Sequence, residues 1–193
     1  MSFATADGGT IYADLYGSGT NAVVLAHGAV FDKESWEPLA EALAGKEFLV
    51  LALDFRGYGD SKPGYEQKSL HLDVLGAIDF LDRRGASRIS LVGASMGGYA
   101  AGQAASESRK GQLSTVVLLA PGPIPEPETM KAERFVFIAS EDEPGFDRVR
   151  SLYGSAPEPK NLEILATGAH AQHVFGTEQG PRLTELIVAN LGQ

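Results

Sequence analysis

The sequence predicts an α/β fold, a mostly parallel sheet of about eight strands with helices on both faces. Three observations lead there. Apolar runs of strand length recur along the chain, segments of helical period separate them, and at Gly93-Ala94-Ser95-Met96-Gly97 an apolar run breaks in small residues and resumes as an Ala-rich helix. Runs that are apolar at every position suit strands buried on both faces, as in a parallel sheet between two layers of helices.

Residues 3–16 read as two short strands around Asp7-Gly8-Gly9, with Ile11, Ala13 and Leu15 alternating against Tyr12, Asp14 and Tyr16, which predicts an antiparallel edge. Residues 21–27 are a continuous apolar run that ends in His27-Gly28-Ala29-Val30. An amphipathic helix over 35–44 precedes a second buried run, 47–54, which closes on the Gly-rich loop DFRGYGDS. Leu72, Leu75, Ile78 and Leu81 give residues 70–84 a helical period, ended by Gly85. Ile89, Leu91 and Val92 belong to the strand that enters the junction at Ser95. Beyond its helix, 114–120, 133–139 and 161–166 read as three more buried strands, with helices around 146–153 and 181–191. Crossovers between parallel strands are right-handed, and a sheet of this kind gathers its ligand site at the carboxyl ends of its strands.

A chain of 193 residues, 44% of them hydrophobic, is expected to form one domain over 1–193. A formal net charge of -9 and the lack of clustered Lys and Arg argue against nucleic acid or an anionic membrane surface as partner. With no cysteine, covalent chemistry has to run through oxygen or nitrogen. No motif implies a metal or an organic cofactor. The first residues lack the basic start and apolar core of a signal peptide, and no apolar run approaches membrane-spanning length. The expectation is a cytoplasmic protein that acts on a small molecule, and oligomeric state has no signature in the sequence.

At the predicted strand ends stand His27-Gly28-Ala29, Asp54, Ser95, Pro121, Glu141-Asp142-Glu143 and Gly168-Ala169-His170. A serine, an acid and a histidine follow one another in that order. Glycines on either side of Ser95 leave out side chains that would collide in a sharp strand-to-helix turn, so the serine stands at its tip. A serine is a weak nucleophile until a base takes its proton, and His170 is the candidate base. The imidazolium formed then needs a carboxylate on its other nitrogen, which the acid cluster can supply.

In order and placement, HGAV at His27, DFRGYGDS at Asp54, GASMG at Gly93, SEDEP at Ser140 and TGAH at Thr167 resemble the α/β-hydrolase superfamily over nearly the whole chain. The resemblance implies Ser95 as nucleophile and His170 as general base, with an oxyanion held by the backbone N–H groups of Ala29 and Met96. Met96 also has a local reason for the role, because it opens a helix whose first N–H groups are free. Two registers are open for the acid. Members usually end this strand in G-x-x-D; with Ser140 at the Gly the acid is Glu143, and with Ala139 there it is Asp142. His173 is expected at the rim, His27 as a hydrogen bonder within the His-Gly motif, and Asp54 and Arg56 as braces of their loop. Trp36 and Phe31 belong either to the pocket or to the core.

Many members carry a helical cap between the strand after the elbow helix and the strand bearing the acid. Here residues 121–131, with four prolines, occupy that interval, and prolines break helix interiors. The expectation is a capless, open site on a small serine hydrolase that cleaves a carboxylic ester or thioester through an acyl-enzyme. Acyl transfer or perhydrolysis at the same site, and a non-catalytic binding module, are the alternatives. A serine at the elbow argues against haloalkane dehalogenase or epoxide hydrolase chemistry, which uses an aspartate there on similar frames.

Overall fold

The computed structural model describes residues 1–192. Along them run β1 (Ser2–Ala4), β2 (Thr10–Tyr16), β3 (Asn21–Ala26), α1 (Glu37–Ala44), β4 (Phe48–Leu53), α2 (His71–Arg83), β5 (Arg88–Ala94), α3 (Met96–Glu107), β6 (Leu113–Leu119), β7 (Arg134–Ser140), α4 (Phe146–Ser155), β8 (Lys160–Leu165) and α5 (Gly180–Leu191). One sheet takes all eight strands in the order β1-β2-β4-β3-β5-β6-β7-β8. The β1–β2 and β2–β4 pairs are antiparallel and every other pair is parallel. The N-terminal hairpin is thus the antiparallel edge expected from its alternation.

Successive strand residues face opposite sides of a sheet, and here both sides are dry. In β3, Ala22, Val24 and Ala26 join one core cluster while Val23 and Leu25 join the other; Val116 and Leu118 of β6 oppose Val117 and Leu119 in the same way. The first cluster continues into Val74, Ala77 and Leu81 of α2, Ala100 and Ala104 of α3 and Val149 of α4. The second continues into Leu39 and Leu43 of α1 and Leu183, Ile187 and Leu191 of α5. Burial on both faces is what made the runs apolar at every position. Trp36 is fully buried in the second cluster, so of the two settings expected for it the core is the one it occupies.

Two expected elements differ. The helix expected over 35–44 begins with a separate 3-10 turn, Lys33–Trp36, capped by Asp32, whose carboxylate accepts the Ser35 N–H at 3.0 Å. Pro38 then sits in the first turn of α1, where its missing N–H costs nothing. The strand expected as buried at 161–166 is an edge: β8 pairs only with β7, just Leu165 in it is buried, and Ile164 is 50% exposed. Residues 121–131 carry a single 3-10 turn, Pro127–Thr129. No helix among the described residues is long and apolar enough to cross a membrane.

The loop after β4 is braced by an ion cluster. The Arg56 guanidinium donates to Asp73 at 2.8 and 2.6 Å and to Asp7 at 2.9 and 3.1 Å, and its backbone N–H reaches Asp73 at 2.9 Å. All three residues are buried, so the hairpin, the loop and α2 share one paired charge network. Arg56 holds the Asp7 carboxyl well below the usual carboxylate range. Burial pushes Asp73 up instead, with Arg56 opposing, because Asp73 is the more deeply enclosed of the two.

Removing one member of a buried network strands the others, so Arg56→Met is expected to lower unfolding free energy by about 3–5 kcal/mol, read by urea denaturation at neutral pH. Asp7 titrates lower in the folded chain than the ~3.9 of an unfolded one, so its stabilisation is complete above about pH 5 and is lost as pH falls through the unfolded value toward the folded one. Asp7→Asn is expected to lower stability at neutral pH and to shrink its further loss on acidification.

Candidate active site

β5 and α3 meet at Ser95, whose backbone stands at φ 50°, ψ -108°, a conformation costing an L-residue about 1–3 kcal/mol. Packing enforces it. A Cβ on Gly97 would lie 2.1 Å from the Ala26 carbonyl oxygen at the end of β3, and one on Gly93 would lie 2.4 Å from the Gly97 oxygen. The first turn of α3 therefore presses directly on two strand ends, with no space for a side chain between them. The elbow is also tied on its outer side: the Ser95 N–H donates to the Leu119 oxygen at 2.9 Å, and the Ser95 oxygen accepts from Gly122 at 2.9 Å and Tyr99 at 3.0 Å.

The side chain of Ser95 points at His170, which follows β8. Oγ lies 2.9 Å from Nε2, and on the far side of the ring Nδ1 lies 2.5 Å from Oε2 of Glu143. An ionised carboxylate only accepts, so Nδ1 carries the proton and donates it to Glu143, leaving Nε2 to accept the Ser95 hydroxyl. The other carboxylate oxygen of Glu143 accepts the Ser140 N–H at 3.0 Å, and the residue is 4% exposed. The Ser140 hydroxyl donates in turn to the Ala169 oxygen at 2.5 Å, joining the turn after β7 to the loop carrying His170.

The two registers for the acid separate here. Glu143 reaches His170, whereas Asp142 is exposed and its backbone N–H lies 3.4 Å from the Thr167 oxygen. Among the described residues no hydrogen bond joins the Asp142 carboxylate to His170. Ala29 follows β3 and lines the same cavity as Ser95 and His170. Its carbonyl accepts the Tyr58 hydroxyl at 2.9 Å, the Gly28 carbonyl of the peptide before it accepts the Phe31 N–H at 3.0 Å, and the Ala29 N–H makes no hydrogen bond within the described residues. Met96 opens α3, so its N–H has no acceptor within the helix and carries the positive end of the helix dipole.

His27 is occupied at both ring nitrogens. Nδ1–H donates to the Gly28 oxygen at 2.8 Å, Nε2 accepts the Phe55 N–H at 3.2 Å, and burial lowers its basicity, so the ring is a neutral strut between two loops. Asp54 likewise braces, accepting the Lys33 N–H at 2.9 Å. His173 is exposed and packs on Phe31 with ring centroids 4.9 Å apart at the rim. The cavity beside Ser95 measures about 180 Å³ and is lined by residues 28–31, Ser95, His170, Ala171 and His173. A larger hollow of about 340 Å³ lies at the opposite ends of the strands around Arg88 and Arg109, away from Ser95 and His170. Among the described residues no group of three or more His, Cys, Asp or Glu is placed to hold a metal.

Two residues at the site had no functional signal in the sequence. Tyr58 sits in the quoted loop motif but only the fold shows its hydroxyl meeting Ala29. Gln172, 3% exposed, spans between the His170 segment and the loop at Gly28.

A parallel sheet with an elbow serine at the end of its central strand defines a class, and the comparisons agree with it. The model of a family described as the alpha/beta hydrolase family matches residues 23–188, and the chain belongs to that family. It is 33% identical over 123 residues to the dihydrolipoyllysine-residue acetyltransferase component of the acetoin cleaving system of Cupriavidus necator; the match covers 62% of this chain and 31% of that protein. In fold it is similar to an enol-lactonase from Burkholderia xenovorans LB400, with TM-score 0.81, 18% identity and all of both chains covered. An esterase from Exiguobacterium antarcticum aligns with TM-score 0.81 and 15% identity over 100% of this chain and 99% of that one.

If the contact between α3 and β3 sets the elbow, Gly97→Ala forces a backbone shift. It is expected to lower stability by roughly 1–3 kcal/mol and to slow labelling of Ser95 by a fluorophosphonate probe, followed by thermal unfolding and by intact-mass kinetics.

Proposed function

We propose that this chain is a serine hydrolase that cleaves carboxylic esters through an acyl-enzyme on Ser95, with residues 1–193 working as one catalytic domain. The observation that carries the reading is the unbroken series from Ser95 Oγ through His170 to buried Glu143, 2.9 and 2.5 Å long, beside the unpaired Ala29 N–H. As Oγ attacks the ester carbonyl, Nε2 of His170 takes its proton and Glu143 stabilises the imidazolium. The carbonyl oxygen gains negative charge between the N–H groups of Ala29 and Met96. His170 then returns the proton to the departing alkoxide. Water attacks the acyl group with His170 again as base, releasing the acid and restoring Ser95.

The cavity limits what fits. It is small, about 180 Å³, and bounded by residues 28–31, Ala171 and His173, so a short acyl group suits it better than a long chain. Its open mouth also admits acceptors other than water, which keeps acyl transfer to an alcohol, an amine or peroxide as a second use of the same acyl-enzyme.

Ser95→Ala and His170→Ala are each expected to reduce kcat on a short-chain ester by as much as ~10⁶, and Glu143→Gln by about 10⁴. Asp142→Asn is expected to change little. A wild-type chain that fails to take up the fluorophosphonate at Ser95 removes this reading in favour of a binding module. In a panel of p-nitrophenyl esters of graded acyl length, kcat/KM is expected to be highest for the shortest acyl groups; a rise toward long chains contradicts the size argument. Addition of methanol distinguishes transfer from hydrolysis by the methyl ester formed.

A further inference from the structure

Ala171 takes a positive φ of 51°, rare for an alanine, and that kink sends its two neighbours in different directions. His170 turns to Ser95, while Gln172 turns into the protein toward the loop after β3. There its Oε1 accepts the Gly28 N–H at 2.7 Å and its Nε2 donates to the Ser35 hydroxyl at 2.9 Å. The assignment of the amide ends follows from chemistry: Gly28 N–H can only donate, so it faces the amide oxygen. Ser35 is itself held by Asp32, so the far end of the amide has a fixed partner.

Three successive peptides are held here. The one bearing the Ala29 N–H is held at its Gly28 carbonyl by the His27 Nδ1–H and the Phe31 N–H, the one before it by Gln172 at the Gly28 N–H, and the one after it by Tyr58 at the Ala29 carbonyl. His27, Phe31 and Tyr58 belong to the loops around the site; Gln172 belongs to the segment that carries His170 and sets where the Gly28–Ala29 peptide begins. We propose that Gln172 is a positioning residue: it sets the direction of the Ala29 N–H relative to His170, so that oxyanion donor and base keep one geometry. The proposal rests on the ester-hydrolase reading above. Misplacing a group by about 1 Å at a reacting centre costs about 100-fold in rate, and a donor aimed at the oxyanion acts in the transition state more than in the bound substrate.

The test compares Gln172→Met, which keeps the bulk and removes the amide, with Gln172→Glu, which keeps an acceptor for Gly28. Both are assayed on a short-chain ester with kcat expressed per active site titrated with fluorophosphonate, alongside the Ki of a trifluoromethyl ketone, which forms an oxyanion on serine. Gln172→Met is expected to lower kcat by about 10- to 100-fold with KM within about twofold, to raise that Ki by a similar factor, and to be partly rescued by Gln172→Glu. A purely structural role instead lowers thermal stability and leaves kcat per titrated site unchanged. That outcome overturns the proposal, as does a loss carried by KM or a Glu variant no better than Met. If Gln172→Met does not fold by circular dichroism, Ser35→Ala decides: a smaller fall in kcat with unchanged KM supports the coupling, and unaltered kcat refutes it. A wild-type chain that neither turns over esters nor labels at Ser95 overturns the functional reading and this one with it, whereas an active wild type with an unaffected Gln172→Met overturns this one alone.

Discussion

The absence of any space between α3 and the ends of β3 and β5 is the constraint on which the site depends. Gly97 against the Ala26 carbonyl and Gly93 against Gly97 bring backbone to backbone. With the helix seated that closely, the residue between strand and helix has one path, and Ser95 takes it at positive φ. The strain is local, but the restraint is distributed: β3 on one side and the Leu119–Gly122 segment on the other hold the elbow through main-chain contacts. Side chains then need only be supplied to a fixed point. His170 arrives from the end of β8 and Glu143 from the end of β7, neighbouring strands in the sheet.

Around that point loops are fastened by buried side chains, and a paired charge cluster lies farther away. His27, uncharged by burial, fastens the loop after β3 to the one after β4. The formal charges of Arg56, Asp7 and Asp73 are spent on each other where the hairpin meets α2.

Much of this was legible in the sequence because steric and solvation rules act locally. The runs at 21–27, 47–54 and 133–139 declare double-sided burial, and the glycines at 93 and 97 declare a close approach. The run at 161–166 misleads because Leu162, Ile164 and Leu165 look like core, while strand order alone makes β8 an edge. For Glu143 and Asp142 the signals oppose each other, register with Ser140 at the Gly pointing to Glu143 and the usual Asp to Asp142, and the turn after β7 brings Glu143 to His170. Gln172 had no signal at all: its partner Gly28 is 144 residues distant, and a hydrogen bond to a backbone N–H imposes no pattern on the neighbouring sequence.

The short proline-rich passage after β6 has a consequence for how this architecture diversifies. Its two ends are anchored, Ile124 by packing onto Gly102 of α3 and Met130 by burial in the core, while residues 125, 126, 128 and 129 between them face solvent. The ends are fixed by the scaffold, and of the middle only Pro127 is half-buried. Chain length can therefore grow between Ile124 and Met130 without moving Ser95, His170 or Glu143, because no contact of the reacting groups passes through that middle. The frame that holds the elbow and any cover over it are separable modules, and an exposed segment only a few residues long is where one becomes attached to the other.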